Sequence, residues 1–337
     1  MSMNLGDAIS HASTIFMPEF LFGADEDFLL GERSANEEAL HLLIAEFFEN
    51  PNPSFGFDLV IDLADRNRAL CDMMGPESVQ ADRSRNLANH LSDDDILRGV
   101  AALQHRSVEK VAKEVEGLNA TKGVLYGSKP AKGKFVGIDI ETTSTSPDRG
   151  YIVNVGWEVM ELVEGAEPQD PNSVFCGIPD QYAETGVPLS EIHKITWSDV
   201  AGKKPFREDK DLQKKLLKVL KSHPFMAHNA AFEDSWLMLH LPGYAEARKA
   251  GKIVPIDTRD ICRALDPDVR FMSWEAKPAS LEAWAQRRGV LAPDEAERHL
   301  GLDDTDLMFR TLIAELSETA QKFVAKLETN LKRYAKF

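Results

Sequence analysis

Two short β-branched runs, Phe135-Val-Gly-Ile-Asp-Ile-Glu141 and Tyr151-Ile-Val-Asn-Val-Gly-Trp-Glu-Val-Met160, constrain the fold of this 337-residue chain more than any other feature. Each nearly alternates apolar with small or polar residues, and a loop of Ser, Thr, Pro, Asp and Gly separates them. The pattern reads as strand, turn, strand. Downstream, Leu212 to Leu220 has the spacing of a lysine-rich amphipathic helix, Pro224 to Ala227 of a short strand, and Glu233 to Leu241 of a helix. Ile253 to Ile256 reads as a strand, and Leu281 to Gly289 and Asp304 to Leu316 as helices. Strands first, then strands and helices in alternation, predict an α/β layer structure. No internal repeat is present.

The residues before this pattern differ in kind. Ser34-Ala-Asn-Glu37 has the form of a capping box, followed by Leu40, Leu43, Ile44 and Phe47 at helical spacing and closed by Asn50-Pro51. Ser92 and Ser107 open two further predicted helices. Residues 1–125 are therefore expected to form an acidic, mainly helical domain. Residues 126–133, rich in Gly, Pro and Lys, read as a linker, 134–316 as the α/β domain, and 317–337 as a basic C-terminal helix or tail.

Net charge is −16, and residues 1–130 alone hold 22 Asp and Glu against 11 Lys and Arg. Such a balance argues against a broad basic face gripping a polyanion. It suits an N-terminal region that meets a basic protein partner. Cys71, Cys176 and Cys262 are isolated thiols without CxxC spacing, so neither a disulfide framework nor a zinc site is indicated. No basic and apolar leader opens the chain, and no stretch approaches the ~18 apolar residues of a membrane span. A cytoplasmic protein without membrane contact is expected.

Four acids and one histidine carry the chemistry. Asp139 and Glu141 stand two apart on a predicted strand and so share a face. Glu233 lies in a predicted helix, Asp304 at the start of another, and His299 in the loop before it. Each is unremarkable alone: a DxE on a strand is often a solvated edge, and an Asp at a helix start is often only a cap. As an ordered set they read as a carboxylate cage for two divalent cations, with an imidazole able to take a proton near neutral pH. Phosphodiester hydrolysis needs that combination.

The segment from about Lys134 to Leu316 resembles the DEDDh family of 3′-to-5′ exonucleases. Val136-Gly-Ile-Asp139-Ile-Glu141-Thr-Thr143 is similar to its first motif, His228-Asn-Ala-Ala-Phe-Glu233 to its second and His299-x-x-x-x-Asp304 to its third. Ile192-His-Lys-Ile-Thr196 and Ile256-Asp-Thr258 are similar to accessory segments. The resemblance implies a ribonuclease-H-like mixed central sheet flanked by helices, and a metal-dependent 3′-to-5′ exonuclease acting on single-stranded nucleic acid. Its products would be nucleoside 5′-monophosphates. DNA is the favoured substrate; an exoribonuclease of the same family, or a weakly catalytic protein that binds 3′ ends, is the alternative.

The resemblance further implies two Mg²⁺, replaceable by Mn²⁺, on Asp139, Glu141, Glu233 and Asp304. His299 would be the general base, and Thr142, Thr143 and Asn229 would touch substrate. The chain departs from the pattern twice. The second motif commonly has Asp after its Phe, where Glu233-Asp234 stands here, so either side chain can serve the second metal. Ser144 stands where Gly is common.

Overall fold

The computed structural model describes residues 3–14, 24, 26–75, 133–270, 272–273 and 276–334, with side chains as far as residue 318. The predicted helices at Ser92 and Ser107, and all of the predicted linker except Gly133, lie outside the described residues.

Three helices come first: α1 (Leu5–Ala12), α2 (Glu26–Glu49) and α3 (Phe57–Met74). A capping box starts α1, where Asn4 accepts from the Asp7 amide and the Asp7 carboxylate receives the Asn4 amide. The box predicted at Ser34 to Glu37 is different. These residues lie inside α2, and Glu37 pairs with Arg149 and Arg33 instead of capping a helix end.

The α/β part is a five-stranded mixed sheet in the order β3-β2-β1-β4-β5. Its strands are β1 (Lys134–Thr142), β2 (Ile152–Glu161), β3 (Gln169–Phe175), β4 (Phe225–Ala227) and β5 (Pro255–Asp257). β2 runs antiparallel to β1 and β3, whereas β4 and β5 run parallel to β1. The carboxyl ends of β1, β4 and β5 therefore share one edge, where ligands of open α/β sheets bind.

Between β3 and β4 come three single-turn helices and α4 (Lys210–Leu220), begun by the Asp209 side chain on the Leu212 amide. After β4 come α5 (Ala230–His240), α6 (Tyr244–Lys249), α7 (Thr258–Leu265), α8 (Leu281–Arg287) and α9 (Gly301–Tyr334). α9 is one helix of 34 residues, so no break separates 301–316 from the predicted tail.

Strand periodicity divides β1 cleanly. Val136, Ile138 and Ile140 point into one core, shared with Val155, Trp157 and Phe225 of the sheet and with α1 through α6. Gly137, Asp139 and Glu141 take the other face. There Met160 and Met226 meet Cys262, Trp284, Met308, Phe309 and Leu312 of α7, α8 and α9. The N-terminal helices thus contribute Ala8, Leu40, Leu43, Phe57 and Leu63 to the same core as the sheet. All three cysteines are buried and unbridged. Among the described residues no helix is long and apolar enough to cross a membrane.

Candidate metal centre

Backbone approach sets up the site. α9 lies on β1 and β2 so closely that a Cβ at Gly156 would fall 2.0 Å from the Gly301 carbonyl carbon. A Cβ at Gly301 would fall 2.7 Å from the Asp139 carbonyl oxygen, and one at Gly137 2.4 Å from both Thr305 and Phe309. Only glycine at these places lets the first turn of α9 rest on the strands. Asp304 is in that turn, and its carboxylate comes within 4.8 Å of those of Asp139 and Glu141, each residue offering one oxygen. The helix begins three residues before Asp304 instead of at it.

Glu233 enters from α5 and is only 2 % exposed. After burial, the Asp139 charge is the largest influence raising its pKa. Asp234, one residue on, is turned away: it accepts from the Tyr244 hydroxyl at 2.5 Å and pairs with Arg248 at 3.2 Å. Glu233, not Asp234, is thus the one that feels the charge of Asp139 and acts on Glu141.

Burial and the neighbouring acids both act on each of these carboxyls. Burial, then Asp304, Glu297 and Glu233, push Glu141 up to about 9. Burial, then Asp139 and Glu297, push Asp304 up to about 9. Asp139 is raised well above the ordinary carboxylate range by burial, then by Glu141 and Glu297. Asp139 Oδ2, Glu233 Oε2 and Asp304 Oδ1 are buried with no hydrogen-bond partner. Buried polar atoms are rarely left so. An all-oxygen set of this kind fits hard divalent cations such as Mg²⁺ or Mn²⁺.

His299 sits in the loop before α9 with a left-handed backbone (φ 52°) and a side chain 40 % exposed. Its Nδ1 lies 3.9 Å from Asp304 Oδ2 and 3.8 Å from Glu297 Oε1. Glu297 was not among the sequence candidates. Its only sequence signal is a carboxylate two residues before His299, and nothing in the irregular loop fixes which way it faces.

The other candidates are placed as follows. Thr142 is buried and its hydroxyl donates to the Ser144 carbonyl at 2.7 Å. Thr143 is fully buried, and its Oγ1 accepts from the Tyr151 amide at 2.9 Å. Both hydroxyls therefore order the loop after β1. Asn229, in left-handed conformation (φ 91°), accepts from Arg259 through its side chain, and its amide donates to Asp257 at 3.1 Å. His228 spans Thr258 Oγ1 at 3.1 Å and the Ala279 carbonyl at 2.8 Å. His193 is a turn residue, with Nδ1 accepting from the Ile195 amide at 3.0 Å.

No model of a known family matches the chain, and no curated protein matches it. A cavity of ≈ 710 Å³ runs past His228 and Asn229, with Glu297 on its wall. Arg259, Arg263 and Lys277 also line it. Arg263 pairs with Asp260 at 2.9 Å and Arg259 lies 3.9 Å from Asp257, so the wall carries charge of both signs.

Proposed function

We propose that this protein is a metal-dependent 3′-to-5′ exonuclease that hydrolyses the 3′-terminal phosphodiester of a single strand, DNA in the first instance, and releases nucleoside 5′-monophosphates. One observation carries the reading: Asp139, Glu141 and Asp304 each bring a carboxylate oxygen within 4.8 Å of the others, and Asp139 and Asp304 keep a buried oxygen with no hydrogen-bond partner, as does Glu233, whose charge Glu141 feels. The mixed sheet is compatible with a ribonuclease-H-like fold, and the acids lie at the carboxyl edge of its parallel strands.

Asp139, Glu141, Glu233 and Asp304 would hold two Mg²⁺ or Mn²⁺, which when bound supply an activated water and neutralise charge at the phosphate and the leaving oxygen. The residues themselves bind, orient and move protons. His299, at the open rim, accepts the proton of the attacking water, a task suited to an imidazole near neutral pH. Arg259, Arg263 and Lys277 draw the strand's phosphates toward the acidic centre, which would otherwise repel them. The loop ordered by Thr142 and Thr143 presents backbone to the terminal nucleotide.

The test uses 5′-labelled single-stranded DNA and RNA of matched sequence. Stepwise shortening from the 3′ end in Mg²⁺, abolished by EDTA, is expected. Asp304→Asn and Glu233→Gln should lower the rate at least ~10²-fold, as for loss of a group acting in the transition state. His299→Ala should lose most activity while metal affinity survives. Asp234→Asn should destabilise the fold yet keep metal binding. No 5′-monophosphate released by the wild-type protein in either cation, or full activity in Glu233→Gln, overturns the proposal.

A further inference from the structure

Glu297, His299 and Asp304 form a second donor set that shares Asp304 with the four-carboxylate group and differs from it in chemistry. One ligand atom from each lies within 4.8 Å of the other two. His299 Nδ1 is 3.8 Å from Glu297 Oε1 and 3.9 Å from Asp304 Oδ2. Two donors held at about 2.0–2.1 Å by a tetrahedral ion stand about 3.4 Å apart, so the two separations from the imidazole need contract by only a few tenths of an ångström. Asp304 has a side chain only 5 % exposed, and it is Oδ2 that lies nearest the imidazole, while Oδ1 is buried without a hydrogen-bond partner. His299 is 40 % exposed, which leaves an entry path and room for a water at the fourth corner.

We infer that Glu297, His299 and Asp304 bind a borderline-soft divalent ion, Zn²⁺, and that this ion inhibits the hydrolysis proposed above. An imidazole in the set favours zinc over magnesium, which takes oxygen ligands. Zinc here occupies the imidazole lone pair needed to accept a proton. It also takes Asp304 from the carboxylate cage. The inhibition rests on the exonuclease reading; the binding does not.

The experiment titrates the full-length, chelator-stripped protein with Zn²⁺ by calorimetry and with Co²⁺ by visible absorption. Micromolar or tighter Zn²⁺ binding and an intense tetrahedral Co²⁺ spectrum are expected. Glu297→Gln and His299→Asn should each weaken Zn²⁺ at least tenfold and lose the cobalt spectrum. Asp139→Asn, which leaves all three donors, should stay within threefold of the wild type. Melting curves in excess EDTA establish that each variant is folded. If Asp139→Asn abolishes Zn²⁺ binding and Glu297→Gln does not change it, the ion belongs to the carboxylate cage and the inference is wrong. Failure to bind Zn²⁺ at all overturns it too. Neither result touches the exonuclease reading, which stands or falls on Mg²⁺-dependent product release without zinc. Where that release is seen, Zn²⁺ should stop it reversibly, and Glu297→Gln should need at least tenfold more Zn²⁺ for the same effect.

Discussion

Burial and mutual repulsion raise the pKa values of Asp139, Glu141, Glu233 and Asp304, so in the folded chain these carboxyls lose protons at higher pH than in an unfolded one. Their folded pKa values are raised, to about 9 for Glu141 and Asp304. The ordinary carboxylate range lies near ~4. In metal-free protein the folded state therefore binds more protons than the unfolded one between these limits. Stability is greatest at the acidic end of the window and falls as pH rises through it. A divalent cation displaces those protons, so its affinity should climb over the same range. Thermal melts at pH 5.5, 7 and 8.5 should show the increment from Mg²⁺ growing with pH, and calorimetry in buffers of different ionisation enthalpy should detect proton release. An increment that shrinks with pH would contradict the assignment. The four acids and His299 were legible because each sits in a recognisable local pattern. Glu297 was not, since only the folded loop turns it toward His299, and the choice between Glu233 and Asp234 needed the positions of Tyr244 and Arg248.

At the scale of elements, contact between α9 and the sheet decides where Asp304 stands. Gly301→Ala puts a methyl against the Gly156 amide and the Asp139 carbonyl, with 2.6 and 2.7 Å available. Overpacking of this kind costs about 1–3 kcal/mol. It should also lift the first turn of α9, so chemical denaturation is expected to show the destabilisation and calorimetry a fall in Mg²⁺ affinity of at least ~10-fold, roughly 1.4 kcal/mol. Unchanged values in both would mean the close approach is not what positions Asp304. β1, β2, β4 and α4 announce themselves by period. β3, Gln169-Asp-Pro-Asn-Ser-Val-Phe175, does not: it is a mostly exposed edge strand with a proline and little apolar alternation, held by pairing to β2. The Ser34 pattern misleads because the long-range demand of Arg149 for Glu37 overrides a local capping preference.

Across the molecule, α2 and α3 hold the loop that follows Asp139 and Glu141. Asn67 donates to Asp148 at 2.7 Å, Arg68 to the Pro147 carbonyl at 2.7 Å, Tyr151 to Asp72, and Arg149 pairs with Glu37. α2 and α3 thus have an architectural duty to the α/β part. Arg149 has a side chain 2 % exposed, whereas Glu37 keeps some access to water at 21 %. Arg149→Ala should therefore cost less than the loss of a fully buried pair, about 2 kcal/mol. The expected drop in melting temperature is about 2–6 °C, and KM should rise more than kcat falls as the loop loosens. An unaltered melt would show the clamp to be idle. The division of the chain into helical and α/β segments was visible in composition and periodicity. Their union was not, because the contacts between them join residues 79 to 202 positions apart.

Those spans have a consequence in time. During synthesis α1–α3 leave the ribosome before the α/β part, with Leu40, Leu43 and Phe57 on a face that Trp236 and Tyr244 help to cover. Lys249, which reaches back to the carbonyls of Phe47 and Asn50, follows some two hundred residues later. At ~5–20 residues per second that is a wait of roughly 10–40 s with apolar surface open, the interval in which a nascent chain most needs a chaperone.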